Sequence, residues 1–182
     1  MVSACGPAQN KDYTISMEGL GALKLGMTEA KVEELMKKKI AMTTNYLDTV
    51  NGSNRDTAKL VYKNIAVQLE FEKSYYAPYK FHMRLIGIRS SSPLCKTVNG
   101  NGVGADRLKI ITDFDNYHVK IQPGYANYYQ TEKGQGKSTL SVLDDAASTL
   151  DNFSDAYTMA FYLMNKKVVS FELKAKLKDE RD

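Results

Sequence analysis

The chain has no tryptophan, only two cysteines, four prolines and two histidines among its 182 residues. Each scarcity removes a class of protein. Two cysteines, Cys5 and Cys95, cannot build the framework of a small disulfide-stapled domain, and they do not form a Cys-x-x-Cys pair. The two histidines, His82 and His118, lack the His-x-x-x-His spacing of a closed metal site, so no metal is expected. No apolar run approaches the roughly 18 residues that a spanning helix needs. Charge of one sign is also lacking: 25 basic and 21 acidic residues are mixed along the chain, for a net charge of +4. No concentrated basic stripe results, and nucleic acid is not an expected partner. The 43% hydrophobic content suffices for the core of one domain or two small ones.

Catalytic patterns are equally thin. Gly134-Gln135-Gly136-Lys137-Ser138-Thr139 imitates the end of a phosphate-binding loop, yet Thr131 stands where that loop needs its first glycine. Tyr128-Tyr129-Gln130 also replaces the apolar strand that should precede it, so the stretch reads as a loop entering a strand. Gly100-x-Gly102-x-Gly104 has the wrong spacing for a dinucleotide and reads as entry to a helix. No serine occupies a Gly-x-Ser-x-Gly elbow. Asp144 and Asp145 are adjacent, so on a strand they would point to opposite faces, and a solvated turn is the simpler reading. No catalytic residue and no cofactor is expected. A small envelope or cytosolic enzyme whose site assembles only in three dimensions is the alternative.

Two glycine turns lead into short amphipathic segments. Leu25-Gly26-Met27-Thr28 opens one in which Thr28 is a good N-cap and Val32, Leu35 and Met36 share a face. Gly104 lies 78 positions beyond Gly26, and the same shift places Asp106 on Thr28, Ile110 on Val32 and Phe114 on Met36. Strand-like stretches follow each: residues 60–63, 65–72 and 81–89 in the first half, and residues 119–121, 139–143, 157–163 and 168–174 in the second. Asn165-Lys166 joins the last two as a hairpin. The expected fold is α+β: two tandem units of a short helix followed by about three antiparallel strands, with the helices on one face of the sheet. The expected divisions are residues 1–12 as attachment site and flexible tether, 13–92 and 93–176 as the units, and 177–182 as a charged tail.

Two resemblances add to this reading. Val2-Ser3-Ala4-Cys5 resembles the lipobox at which bacterial lipoprotein precursors are cut before a lipidated cysteine, and Gly6-Pro7-Ala8-Gln9-Asn10 reads as the tether behind it. The basic and apolar segments of an export signal do not precede it, which leaves two readings: Met1 truncates the signal, or the match is accidental. The resemblance implies a lipid on Cys5, a membrane held through it, and a place in the cell envelope on the periplasmic or cell-surface side; a cytoplasmic protein is the alternative. The Leu25-Gly26-Met27-Thr28 turn and the closing Asn165-Lys166-Lys167-Val168-Val169-Ser170-Phe171 hairpin resemble small exported lipoproteins of the β-lactamase-inhibitor-protein-like or SmpA/OmlA-like architecture. That likeness implies a noncatalytic, protein-binding sheet. Asp48-Thr49-Val50 and Asp56-Thr57-Ala58 resemble short O-glycosylation sites of exported bacterial proteins, within what reads as a polar loop over residues 41–58.

Six of the 12 tyrosines fall in two loop-like stretches: Tyr75, Tyr76 and Tyr79, and Tyr125, Tyr128 and Tyr129. Tyrosine couples a large apolar face to a polar tip at low entropic cost, which suits recognition of a protein, peptide or glycan. These six are the candidate binding residues; packing over loop bases is their other reading.

Overall fold

The structure is a computed structural model that describes residues 10–48, 53–77, 80–123, 137–143 and 156–177. Its body is one eight-stranded antiparallel sheet made of two four-strand meanders. The first contains β4 (Thr43–Asp48), β5 (Ser53–Tyr62), β6 (Ile65–Ala77) and β7 (Lys80–Ser90); the second contains β9 (His118–Pro123), β10 (Lys137–Leu143), β11 (Ala156–Met164) and β12 (Lys167–Lys176). The order across the sheet is β4-β5-β6-β7-β12-β11-β10-β9, so the meanders meet along their last strands. Two-residue turns close β5 to β6 and β11 to β12. Lys63, Asn64, Asn165 and Lys166 in those turns all have positive φ, the twist that a tight hairpin needs.

A second, four-stranded sheet has the order β3-β2-β1-β8, from β1 (Thr14–Ser16), β2 (Gly19–Leu20), β3 (Leu23–Lys24) and β8 (Lys96–Thr97). Its β1–β8 pair is parallel and the other two pairs are antiparallel. Two tyrosines tie it to the large sheet: Tyr13 donates to the Lys63 carbonyl at 2.7 Å, and the Tyr62 hydroxyl accepts from the Ala22 N–H at 3.1 Å. Helical structure is slight. A 3-10 turn spans Lys11–Tyr13, α1 spans Glu29–Met36 and α2 spans Arg107–Asp113.

The expectation of an α+β fold with about three strands per helix is therefore corrected. Strands dominate the described residues, each meander has four of them, and the two α-helices have only eight and seven residues. Within its span each α-helix fully buries a single side chain, Val32 in α1 and Ile110 in α2, so the helices supply little of the core. The glycine stretch at residues 19–23 is a β-hairpin. The supposed loop over residues 41–58 holds β4 and the first half of β5. Asp56 and Thr57 are consequently mid-strand, and Ala58 is buried.

Alternation explains the sheet. Ala58, Leu69, Ile88, Leu173, Met159 and Val142 stand side by side on successive strands, all buried, and Phe171, Phe161 and Leu140 form a second such row. Ile15, Leu20 and Leu23 of the small sheet join the same core, as do Val32, Ile110 and Phe114. Fully burying a side chain of this size contributes roughly 1.5–3 kcal/mol before entropy is counted. Both helices start from the same backbone arrangement. Gly26 N–H donates to the Leu85 carbonyl at 2.7 Å and Leu85 N–H to the Met27 carbonyl at 2.8 Å; Gly104 pairs with Val168, and Val168 with Ala105, at 2.8 and 3.0 Å. The glycines have φ of 86° and 88°, a conformation that side chains oppose. Thr28 and Asp106 then cap the helices by accepting from Lys31 and Leu108 N–H. These contacts fix each helix start to one of the two strands where the meanders meet.

Candidate functional site

Because side chains alternate along a strand, a shift of one residue from the buried rows gives the opposite face. There Lys59, Gln68, Arg89, Glu172, Ala160, Ser141 and Lys120 run across seven strands in register. Beside them run Thr57, Glu70, Gly87, Lys174, Thr158, Leu143 and His118. This face is largely polar and charged, with Ala160 and Leu143 among its apolar members. Over β5, β6, β7, β12 and β11 a set of its side chains is linked across strands, which orders that part of the surface.

The links can be followed strand by strand. Arg55 Nε lies 3.3 Å from Glu72 Oε1, and its Nη1 lies 3.9 Å from Glu70 Oε1. Lys174 Nζ lies 3.7 Å from Glu70 Oε2 and 3.6 Å from Glu172 Oε1. Tyr162 donates its hydroxyl to Glu172 Oε2, and the Arg89 guanidinium sits 4.7 Å from the centre of the Tyr162 ring. Gly87 makes the Glu70–Lys174 link feasible. It stands between them in register, and a Cβ on it would come within 3.0 Å of Glu70 Cβ. The missing side chain leaves room for Glu70 to reach over the intervening strand. Half-exposed pairs like these contribute about 0–1 kcal/mol each. Their larger effect is to hold the carboxylates and cations in place.

Tyr162 is pushed up to about 12 by burial first, then by its hydrogen bond to Glu172 and that carboxylate's charge, against the opposing charge of Arg89. It thus remains a neutral donor at physiological pH. Next to it, a pocket of about 420 Å³ opens on this face over β5, β6, β7 and β12. Lys59, Gln68, Arg89, Ser91 and Ser170 supply its polar groups, while Ala66 and Val169 supply apolar wall.

Most of the residues singled out from sequence lie elsewhere. Cys5, Tyr79, Tyr125, Tyr128, Tyr129, Asp144 and Asp145 fall outside the described residues. Tyr75 and Tyr76 lie in β6, which continues as strand to Ala77. His82 is in β7 and His118 opens β9 at the sheet edge, with three strands between them. No group of three or more metal-ligating side chains occurs among the described residues. Lys137 and Ser138 begin β10, where a phosphate-binding loop would require a helix. No helix among the described residues is long and apolar enough to cross a membrane. Tyr162, Arg89, Glu70 and Gly87 were not singled out from sequence, although an isolated glycine inside a strand pattern is a signal of close approach.

Cys95 is fully buried, with its thiol pushed up to about 11, chiefly by burial and against hydrogen bonds from Ser92 and Ser90. It should resist iodoacetamide at pH 8 in the folded protein and react within minutes in denaturant. Equal rates in the two states would place the thiol at the surface. Comparisons of the chain with protein-family models, with curated proteins and with solved structures find no match.

Proposed function

We propose that the chain is a lipid-anchored protein of the cell envelope that binds a protein, peptide or glycan without catalysing a reaction, and that the open face of its eight-stranded sheet is the binding surface. One observation carries the reading: the sheet buries the central part of one face, while the other holds a linked set of Arg55, Glu70, Glu172, Lys174, Arg89 and Tyr162. Pre-positioned charges, aromatic faces and hydrogen-bond groups on a rigid scaffold reduce the ordering cost of binding. The Val2-Ser3-Ala4-Cys5 motif and the polar residues behind it support the anchor.

Photo-crosslinking in the cell envelope tests the surface. A benzoylphenylalanine replacing Ser141 or Lys120 on the open face should give a discrete crosslinked product, whereas one replacing Leu108, an exposed residue of α2, should give none. Products from Leu108 alone would move the binding surface elsewhere. Palmitate labelling of the protein expressed with its native upstream sequence tests the anchor. Label that persists after Cys5→Ala would sink it.

A further inference from the structure

We propose that the pocket over β5, β6, β7 and β12 receives a carboxylate side chain of an acidic peptide segment in the bound partner. This rests on the open face being the binding surface and names the chemistry of what binds there. The pocket combines two cations, Lys59 and Arg89, that form no ion pair among the described residues. Glu172 is Arg89's register neighbour, but its oxygens are engaged by Tyr162 and Lys174. Arg89 lies over the Tyr162 ring, so the aromatic face orients the guanidinium without occupying its N–H edge. That edge matches a carboxylate in a bidentate arrangement.

The remaining lining fits the same occupant. Gln68, Ser91 and Ser170 add hydrogen-bond groups, while Ala66 and Val169 offer wall for the short aliphatic stem of a glutamate or aspartate. A volume of about 420 Å³ accommodates a side chain with part of its backbone. Glu70 and Glu172 on the same face repel a densely charged polyanion, which favours isolated carboxylates on a polypeptide. The net charge of +4 assists the encounter.

The test uses the 182-residue chain, labelled with ¹⁵N, and two probes: acetyl-Ala-Glu-Ala-amide and acetyl-Ala-Gln-Ala-amide. The glutamate peptide should shift the amide signals of Lys59, Gln68, Arg89, Ser91 and Ser170 saturably, and the glutamine peptide should bind at least about tenfold more weakly. Arg89→Gln should weaken the glutamate peptide by about tenfold, and Lys59→Gln at an exposed position by about threefold, with the other signals unmoved. Lys31→Gln, at an exposed position of α1 away from the open face, should leave the affinity unchanged. Equal binding of the two peptides, shifts spread over all surface lysines, or indifference to both pocket substitutions would overturn the proposal. The photo-crosslinks from Ser141 and Lys120 do not depend on these peptides, so they report separately whether the open face binds at all.

Discussion

Replacing Phe171 by alanine should cost about 3–5 kcal/mol of folding free energy, read as a lower urea midpoint with little change in slope. Phe171 is fully buried on β12, the strand through which the two meanders meet. It stands opposite Ser90 of β7 on one side and Phe161 of β11 on the other. Phe161 is itself fully buried and packs 6.3 Å, ring to ring, from Phe114 at the end of α2. Neighbours from both halves of the sheet therefore line the cavity and cannot all collapse into it. Val169→Ala, two residues away and 46% exposed, should change stability by no more than about 0.5 kcal/mol. A cost for Phe171→Ala below about 1.5 kcal/mol would mean that the meanders do not share this core.

The strands that could be read in advance are those with one wet and one dry face. Ile65, Val67, Leu69 and Phe71 are buried, and Gln68, Glu70 and Glu72 alternate with them, so the period of two is plain. β4 gives no such signal because it is an edge strand: Thr43, Thr44, Asn45 and Leu47 are all exposed, and a polar run on an edge looks like a loop. The first half of β5 is hidden too, because Ser53 to Thr57 is polar on both faces. The helix starts were legible because capping is local chemistry: Thr28 and Asp106 each accept from a backbone N–H two or three residues on. What local chemistry does not convey is the balance between elements, and two correctly placed helix starts overstated the helical share of the fold.

The candidate site was hidden for a different reason. Its residues are far apart in sequence and become neighbours only through strand register, as with Arg55, Glu70, Glu172 and Lys174. Composition pointed to tyrosines grouped along the chain, whereas the phenol on the linked face, Tyr162, lies within a strand and reads as ordinary sheet packing. Gly87 was the available clue. A glycine among Leu85, Ile86 and Ile88 lies beside a register shift between β6 and β7, and a Cβ there would crowd Glu70, so it marks a place where another side chain passes closely.

The same reasoning gives a large effect in the small sheet, where Gly19→Ala should cost about 3 kcal/mol. A Cβ at Gly19 would lie 2.0 Å from the Leu23 carbonyl oxygen, and that obstacle is backbone, so no rotamer change relieves it. β3 would have to move away from β2, drawing Leu20 and Leu23, both fully buried, out of the core they share with the large sheet. Gly100→Ala separates this effect from the ordinary penalty of a side chain at positive φ. Gly100 has φ of 78° with nothing within 4 Å of the added carbon, so only the conformational cost of about 1 kcal/mol applies. Hydrogen exchange should show the loss for Gly19→Ala first in the amides of residues 14–24, with protection of β11 and β12 reduced less. Equal costs for the two substitutions would mean that the tight approach of β2 to β3 does not exist in solution.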